Sequence, residues 1–174
     1  MIFDHKKSNE TLMKYRVKLS DYDIDYQLLA VRTRIVDVKF AYLLNKSSFF
    51  SFRRLDQDIF AIINKKNVYF STFEYIDKTL KRKIFLIQNK ANHKQLNRDL
   101  GDLFSQEVDA PSIIPRSVFL VPELKKFDFF LKLVGVWSPK ELQQLKFFLK
   151  NMDIVESEIT VNLKNLKSIG NLVF

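Results

Sequence analysis

With 174 residues, 47% of them hydrophobic and 17 of them phenylalanine, the chain is long and apolar enough to fold as one domain around a sizeable core. The absence of cysteine excludes disulfides, thiolate metal sites and cysteine nucleophiles, and no stretch approaches the roughly 20 apolar residues of a membrane-crossing helix. The formal charge of +9 points toward an anionic partner, yet 21 Lys against 8 Arg, with only 3 Gly and 4 Pro, is also what AT-rich codons produce. Where the charges lie therefore matters more than their sum.

The opening residues, Met1-Ile2-Phe3-Asp4-His5-Lys6-Lys7, lack the apolar core of a signal peptide, so a cytoplasmic location is expected, with residues 1–11 flexible. Residues 12–19 alternate. Met13, Tyr15, Val17 and Leu19 face one way and Lys14, Arg16 and Lys18 the other, as in a half-buried strand. A turn over 20–23 leads to a second strand over 26–33, with Leu29, Val31 and Thr33 on one face and Leu28, Ala30, Arg32 and Arg34 on the other. Asp37 is expected to cap a helix running to about Lys46, with Phe40, Leu43 and Leu44 at helical spacing. Phe50-Ser51-Phe52 reads as a further strand.

Residues 68–76 and 83–88 are predicted to form a hairpin through Asp77-Lys78-Thr79. The stretch 89–120, with Pro111 and Pro115, reads as a long irregular connection, interrupted by a short amphipathic helix marked by Leu96, Leu100, Leu103 and Phe104. Gly101 weakens that helix by about 1 kcal/mol relative to alanine. Phe127, Phe129, Leu131 and Leu133 then share one strand face. Ser138-Pro139-Lys140-Glu141 combines a capping box with proline at the first helical position, and Leu142, Leu145, Phe148, Leu149 and Met152 form the buried stripe of the helix that follows. In a last strand Val155, Ser157, Ile159, Val161 and Leu163 point inward and Glu156, Glu158, Thr160 and Asn162 outward. The expectation is one α+β domain spanning 1–174, a mostly antiparallel sheet of about seven strands with two or three helices packed on one face.

The segment Val121-Pro122-Glu123-Leu124-Lys125-Lys126-Phe127-Asp128-Phe129 resembles the signature of the IPExxxVDY family. Pro122, Glu123 and Asp128 match it, while Val121, Phe127 and Phe129 stand where the family has Ile, Val and Tyr. Arg16-Val17-Lys18-Leu19 is similar to the family's opening strand. Asp23, Ala41-Tyr42-Leu43-Leu44-Asn45-Lys46, Phe73-Glu74-Tyr75 and Ile87-Gln88-Asn89-Lys90 extend the likeness over most of the chain. The resemblance names no activity; it implies a bacterial housekeeping role touching RNA metabolism. Phe129 lacks the hydroxyl of the family's tyrosine, so no role of that hydroxyl carries over.

Recognisable catalytic machinery is missing. His5 and His93 lie in polar surroundings without carboxylates at ligand spacing, and three glycines make no phosphate-cradling loop. No catalytic, cofactor-binding or metal-ligating residue is therefore assigned. Glu123 and Asp128 could form a functional carboxylate pair, but Glu123 accepting hydrogen bonds in a turn and Asp128 starting a ladder is the simpler reading. Two binding readings remain. In the first, the chain is a non-enzymatic adaptor that binds protein, through the 89–120 stretch or the terminal Leu172-Val173-Phe174. In the second, Lys14, Arg16, Lys18, Arg32 and Arg34 form a basic sheet face for RNA, with Arg53-Arg54 and Lys81-Arg82-Lys83 as further clusters and Tyr22 and Tyr26 as stacking partners. Glu156 and Glu158 would neutralise that face if the last strand pairs beside it. Neither reading requires a cofactor, and neither sets an oligomeric state.

Overall fold

In the computed structural model, residues 25–47, 50–63, 66–93 and 116–174 are described. The predicted strand at residues 12–19, the turn at 20–23 and the helix around residues 96–104 lie outside these residues. The strands in chain order are β1 (Tyr26–Thr33), β2 (Arg53–Arg54), β3 (Ile59–Ile63), β4 (Lys66–Phe70), β5 (Thr72–Asp77), β6 (Arg82–Gln88), β7 (Lys90–His93), β8 (Arg116–Phe119), β9 (Phe129–Val134) and β10 (Val155–Thr160). The two α-helices are α1 (Asp37–Lys46) and α2 (Pro139–Lys150). Six strands form one wholly antiparallel sheet in the order β10-β1-β9-β6-β5-β2, and β3-β4 and β7-β8 form two smaller sheets. This is the expected α+β class.

The central strands are buried on both faces because two layers cover them. Leu29, Val31, Ile84, Leu86, Leu131 and Leu133 pack against Phe40, Ala41 and Leu44 of α1 and Leu145 and Leu149 of α2. Both helices thus lie on one face of the sheet, as expected. On the other face Leu28, Ala30, Ile87 and Phe130 meet the β3-β4 hairpin and the C-terminal segment through Val161, Leu166, Ile169 and Leu172. Terminal apolar residues therefore pack on this same chain.

Several local expectations change. Asp37 does not cap α1; the N-cap is Val36, which supplies no side-chain bond, and the Asp37 carboxylate is engaged by Arg54 at 3.3 Å. Phe50-Ser51-Phe52 is not a strand. Asn45 holds the backbone of Phe52 instead, accepting its N–H at 2.7 Å and donating to its carbonyl at 2.9 Å. The run 68–76 is two strands broken at Ser71, and β4 pairs with β3 rather than continuing into the hairpin. Within 89–120, Lys90–His93 and Arg116–Phe119 pair as β7 and β8. Phe127 precedes β9 and packs in the cluster opposite to that of Phe129, Leu131 and Leu133.

The largest correction concerns β10. Arg32 pairs with Ser157 and Thr33 with Val155, so Glu156 is an extra residue in a β-bulge. The bulge reverses the parity of side chains. Val155 packs with the helices, whereas Ile159, opposite Ala30, lies on the other face and is 39% exposed. One continuous inward stripe from Val155 to Leu163 is thereby excluded.

Candidate functional site

The Val121–Phe129 segment is tied down residue by residue. The buried side chain of Asn89 accepts the N–H of Val121 at 2.9 Å and donates to the carbonyls of Leu124 at 3.0 Å and Phe127 at 2.9 Å. Its backbone N–H donates to Asp128 and its carbonyl accepts from Leu120, both at 2.8 Å. Pro122 begins a short 3-10 turn, Pro122–Leu124. The Glu123 Oε1 atom accepts the N–H groups of Lys167 at 2.8 Å and Ser168 at 2.9 Å, fastening the C-terminal segment. Desolvation raises the Glu123 pKa, but these donors and its own N–H outweigh it, and the net shift is downward. Asp128 accepts the N–H of Thr33 through Oδ2 at 3.0 Å. Glu123 and Asp128 thus hold two different segments of backbone, Glu123 the distant C-terminal segment rather than its own turn and Asp128 the end of β1 from just before β9.

Beside this segment opens a cleft of about 560 Å³, lined by Arg32, Arg34, Lys90, Lys125 and Lys126, with the carboxylates of Asp128 and Glu156. The bulge places Glu156 between two guanidinium groups: it meets the Arg32 Nε atom at 2.8 Å and the Arg34 Nε atom. The cross-strand neutralisation expected of β10 therefore operates on Arg32 and Arg34. Their supposed companions Lys14, Arg16 and Lys18 lie outside the described residues. β1 itself is paired with β9 along one edge and with β10 along the other. One arginine of each of the other two basic clusters, Arg54 and Arg82, is ion-paired within the fold, while Arg53, Lys81 and Lys83 are exposed. Arg54 pairs with Asp37 and Asp58 and lies 5.0 Å from the Phe73 ring centroid.

A second concavity, about 840 Å³, runs along α2 and is lined by Phe50, Tyr75, Trp137, Phe147, Phe148 and Met152, among others. Gln144, Phe147 and Phe148 share one side of the helix, and Asn151 and Met152, just past its end, continue the wall. Phe147 is 70% exposed. Arg82 ties the polar end of the groove together. Arg82 lies 3.9 Å from the Trp137 ring centroid, pairs with Asp77 at 3.3 Å and donates to Glu141 at 2.6 Å. Glu141 in turn closes the capping box with Ser138. The Ser138 hydroxyl and N–H, followed by Arg82, bring its pKa down to about 2. Sequence reasoning missed this groove and the lysines of the cleft. Its signals were the single Trp next to a capping box, and Lys125-Lys126 inside the signature.

Among the described residues no group of three or more His, Asp or Glu is placed to hold a metal ion. No helix of the described residues is long and apolar enough to cross a membrane. Searches of family models, curated proteins and solved structures return no match to this chain.

Proposed function

We propose that the chain is a non-enzymatic cytoplasmic adaptor of the IPExxxVDY type that binds a partner protein through the aromatic groove along α2. The observation that carries this reading is the solvent-exposed Phe147 in a groove whose other walls are Trp137, Tyr75, Phe148 and Met152. Aromatic residues, methionine and arginine are the side chains enriched in protein interfaces and their energetic hot spots. An apolar stripe on α2 with a fixed ion-paired rim suits an amphipathic helix presenting its own apolar anchors. The proposed family likeness is supported by the sequence matches Pro122, Glu123 and Asp128. The alternative, direct RNA binding by a basic sheet face of Lys14, Arg16, Lys18, Arg32 and Arg34, is less favoured because the Glu156 carboxylate offsets one of the two arginine charges on that face.

The test is affinity purification of the full chain from its native cells, with and without ribonuclease, comparing wild type with Phe147→Glu. An exposed position predicts a stability change within about 0.5 kcal/mol. The adaptor reading expects a protein partner that survives ribonuclease and is lost from the variant. Partners retained by the variant, or lost with ribonuclease alone, would overturn it.

A further inference from the structure

We infer that the cleft beside the Val121–Phe129 segment is a binding site for a phosphate group, carried by a compact phosphorylated ligand. Five cations converge there against two carboxylates, a net charge of +3 in one concavity. They come from β1 and the residue after it (Arg32, Arg34), from β7 (Lys90) and from the turn that precedes β9 (Lys125, Lys126).

The two carboxylates have donors of their own. Asp128 accepts from Thr33, and Glu156 meets both arginines. The closest contact to Glu156 is at Nε in each case, and a guanidinium has four further N–H donors on its Nη atoms. Glu156 therefore anchors the arginines without exhausting them. Lys90, Lys125 and Lys126 are exposed and have no carboxylate partner among the described residues. Planar guanidinium groups and mobile ammonium groups together match the tetrahedral oxygens of a phosphate.

The shape selects a compact ligand over a long polyanion. A concave space of about 560 Å³ is of the size that holds a small molecule, whereas a phosphodiester chain needs cations strung along a groove. Ile35, Val36 and Phe129 supply an apolar wall for the remainder of the ligand. The site is separate from the groove along α2, so its fate does not decide that of the adaptor reading.

The probes are inorganic pyrophosphate and a short single-stranded RNA made with either a 5′-phosphate or a 5′-hydroxyl. Binding to the full chain is followed by calorimetry at low ionic strength. Pyrophosphate is expected to bind. Lys125→Glu with Lys126→Glu weakens it by about tenfold or more, the worth of losing a charge-assisted bond. Lys90→Glu acts in the same direction, and the charge-matched pair Lys140→Glu with Lys164→Glu leaves binding unchanged. Phe147→Glu also leaves it unchanged. If the 5′-phosphate strengthens RNA binding, the ligand's phosphate is a nucleic-acid end; if the two RNAs behave alike while pyrophosphate binds, it belongs to a free small molecule. The inference fails if pyrophosphate does not bind, if the control pair weakens it equally, or if both RNAs bind alike without it.

Discussion

The side-chain carbonyl of Asn89 accepts the backbone N–H of Val121 at 2.9 Å, across 32 positions of sequence. Through this bond the Ile87-Gln88-Asn89-Lys90 segment and the Val121–Phe129 segment, read separately as family-like motifs, become one piece of structure. Asn89 is fully buried, and its amide uses both N–H donors on carbonyls of the same turn. Its replacement leaves a buried donor and two acceptors without partners.

Asn89→Ala should therefore lose about 2–4 kcal/mol in urea unfolding, since each buried polar group left unpaired costs about 1–3 kcal/mol. Asn89→Asp should be worse, because it sets a carboxylate against the carbonyls of Leu124 and Phe127. A loss below about 1 kcal/mol for the alanine variant would contradict this account.

Lys132 is the next test. It lies in the middle of β9, only 5% exposed, with its ammonium 2.7 Å from the Leu172 carbonyl, 4.0 Å from the Phe174 ring centroid and 4.6 Å from that of Tyr26. Desolvation drives its pKa down to about 8, against a weaker opposing pull from Asp25. The unfolded chain thus binds more protons than the folded one between pH 8 and 10.5, and stability should rise with pH in that window. Tyr26, pushed up to about 12 mainly by burial, acts with the opposite sign above pH 10. Unfolding of wild type and Lys132→Met, compared from pH 7.5 to 9.5, should show a rise in the wild type that the variant lacks; parallel curves would refute it.

At the start of α2, Ser138→Ala removes the cap and should cost about 1 kcal/mol. Glu141 adds a pH signature. Its folded pKa is near 2 and its ordinary value is 4.5, so its contribution is present above 4.5 and fades as pH falls toward 2. Acid titration of stability should accordingly be shallower in Glu141→Gln than in the wild type over that interval, and equal slopes would count against the capping box and Arg82 as the cause.

Gly135, between β9 and α2, has φ +94°, and a Cβ there would come within 2.9 Å of the Arg82 Cβ. Gly135→Ala combines an unfavourable backbone with a clash against the residue that orders Trp137, and should cost about 1–3 kcal/mol in thermal or chemical unfolding. A neutral variant would show that this turn can relax without its glycine.

Much of this architecture is legible in local chemistry. The alternation that predicts a strand over 26–33 and the spacing that predicts a helix from Asp37 to Lys46 coincide with β1 and α1. The capping box at Ser138 is found as expected. Those features depend on neighbours within a turn or two, where periodicity and capping act. The β3-β4 hairpin escaped because Phe60 and Ile62 are exposed, which breaks the alternation rule. The bulge at Glu156 escaped because two residues face one only when a partner strand is present, and β1 stands more than a hundred positions away. Sequence separation likewise hides the meeting of Arg32 with Glu156, of Asn89 with Val121, 32 positions on, and of Arg82 with Trp137 in any reading of the chain alone. Whether a cation is neutralised, left for a ligand or laid on a ring is an energy between residues that only strand order brings into contact.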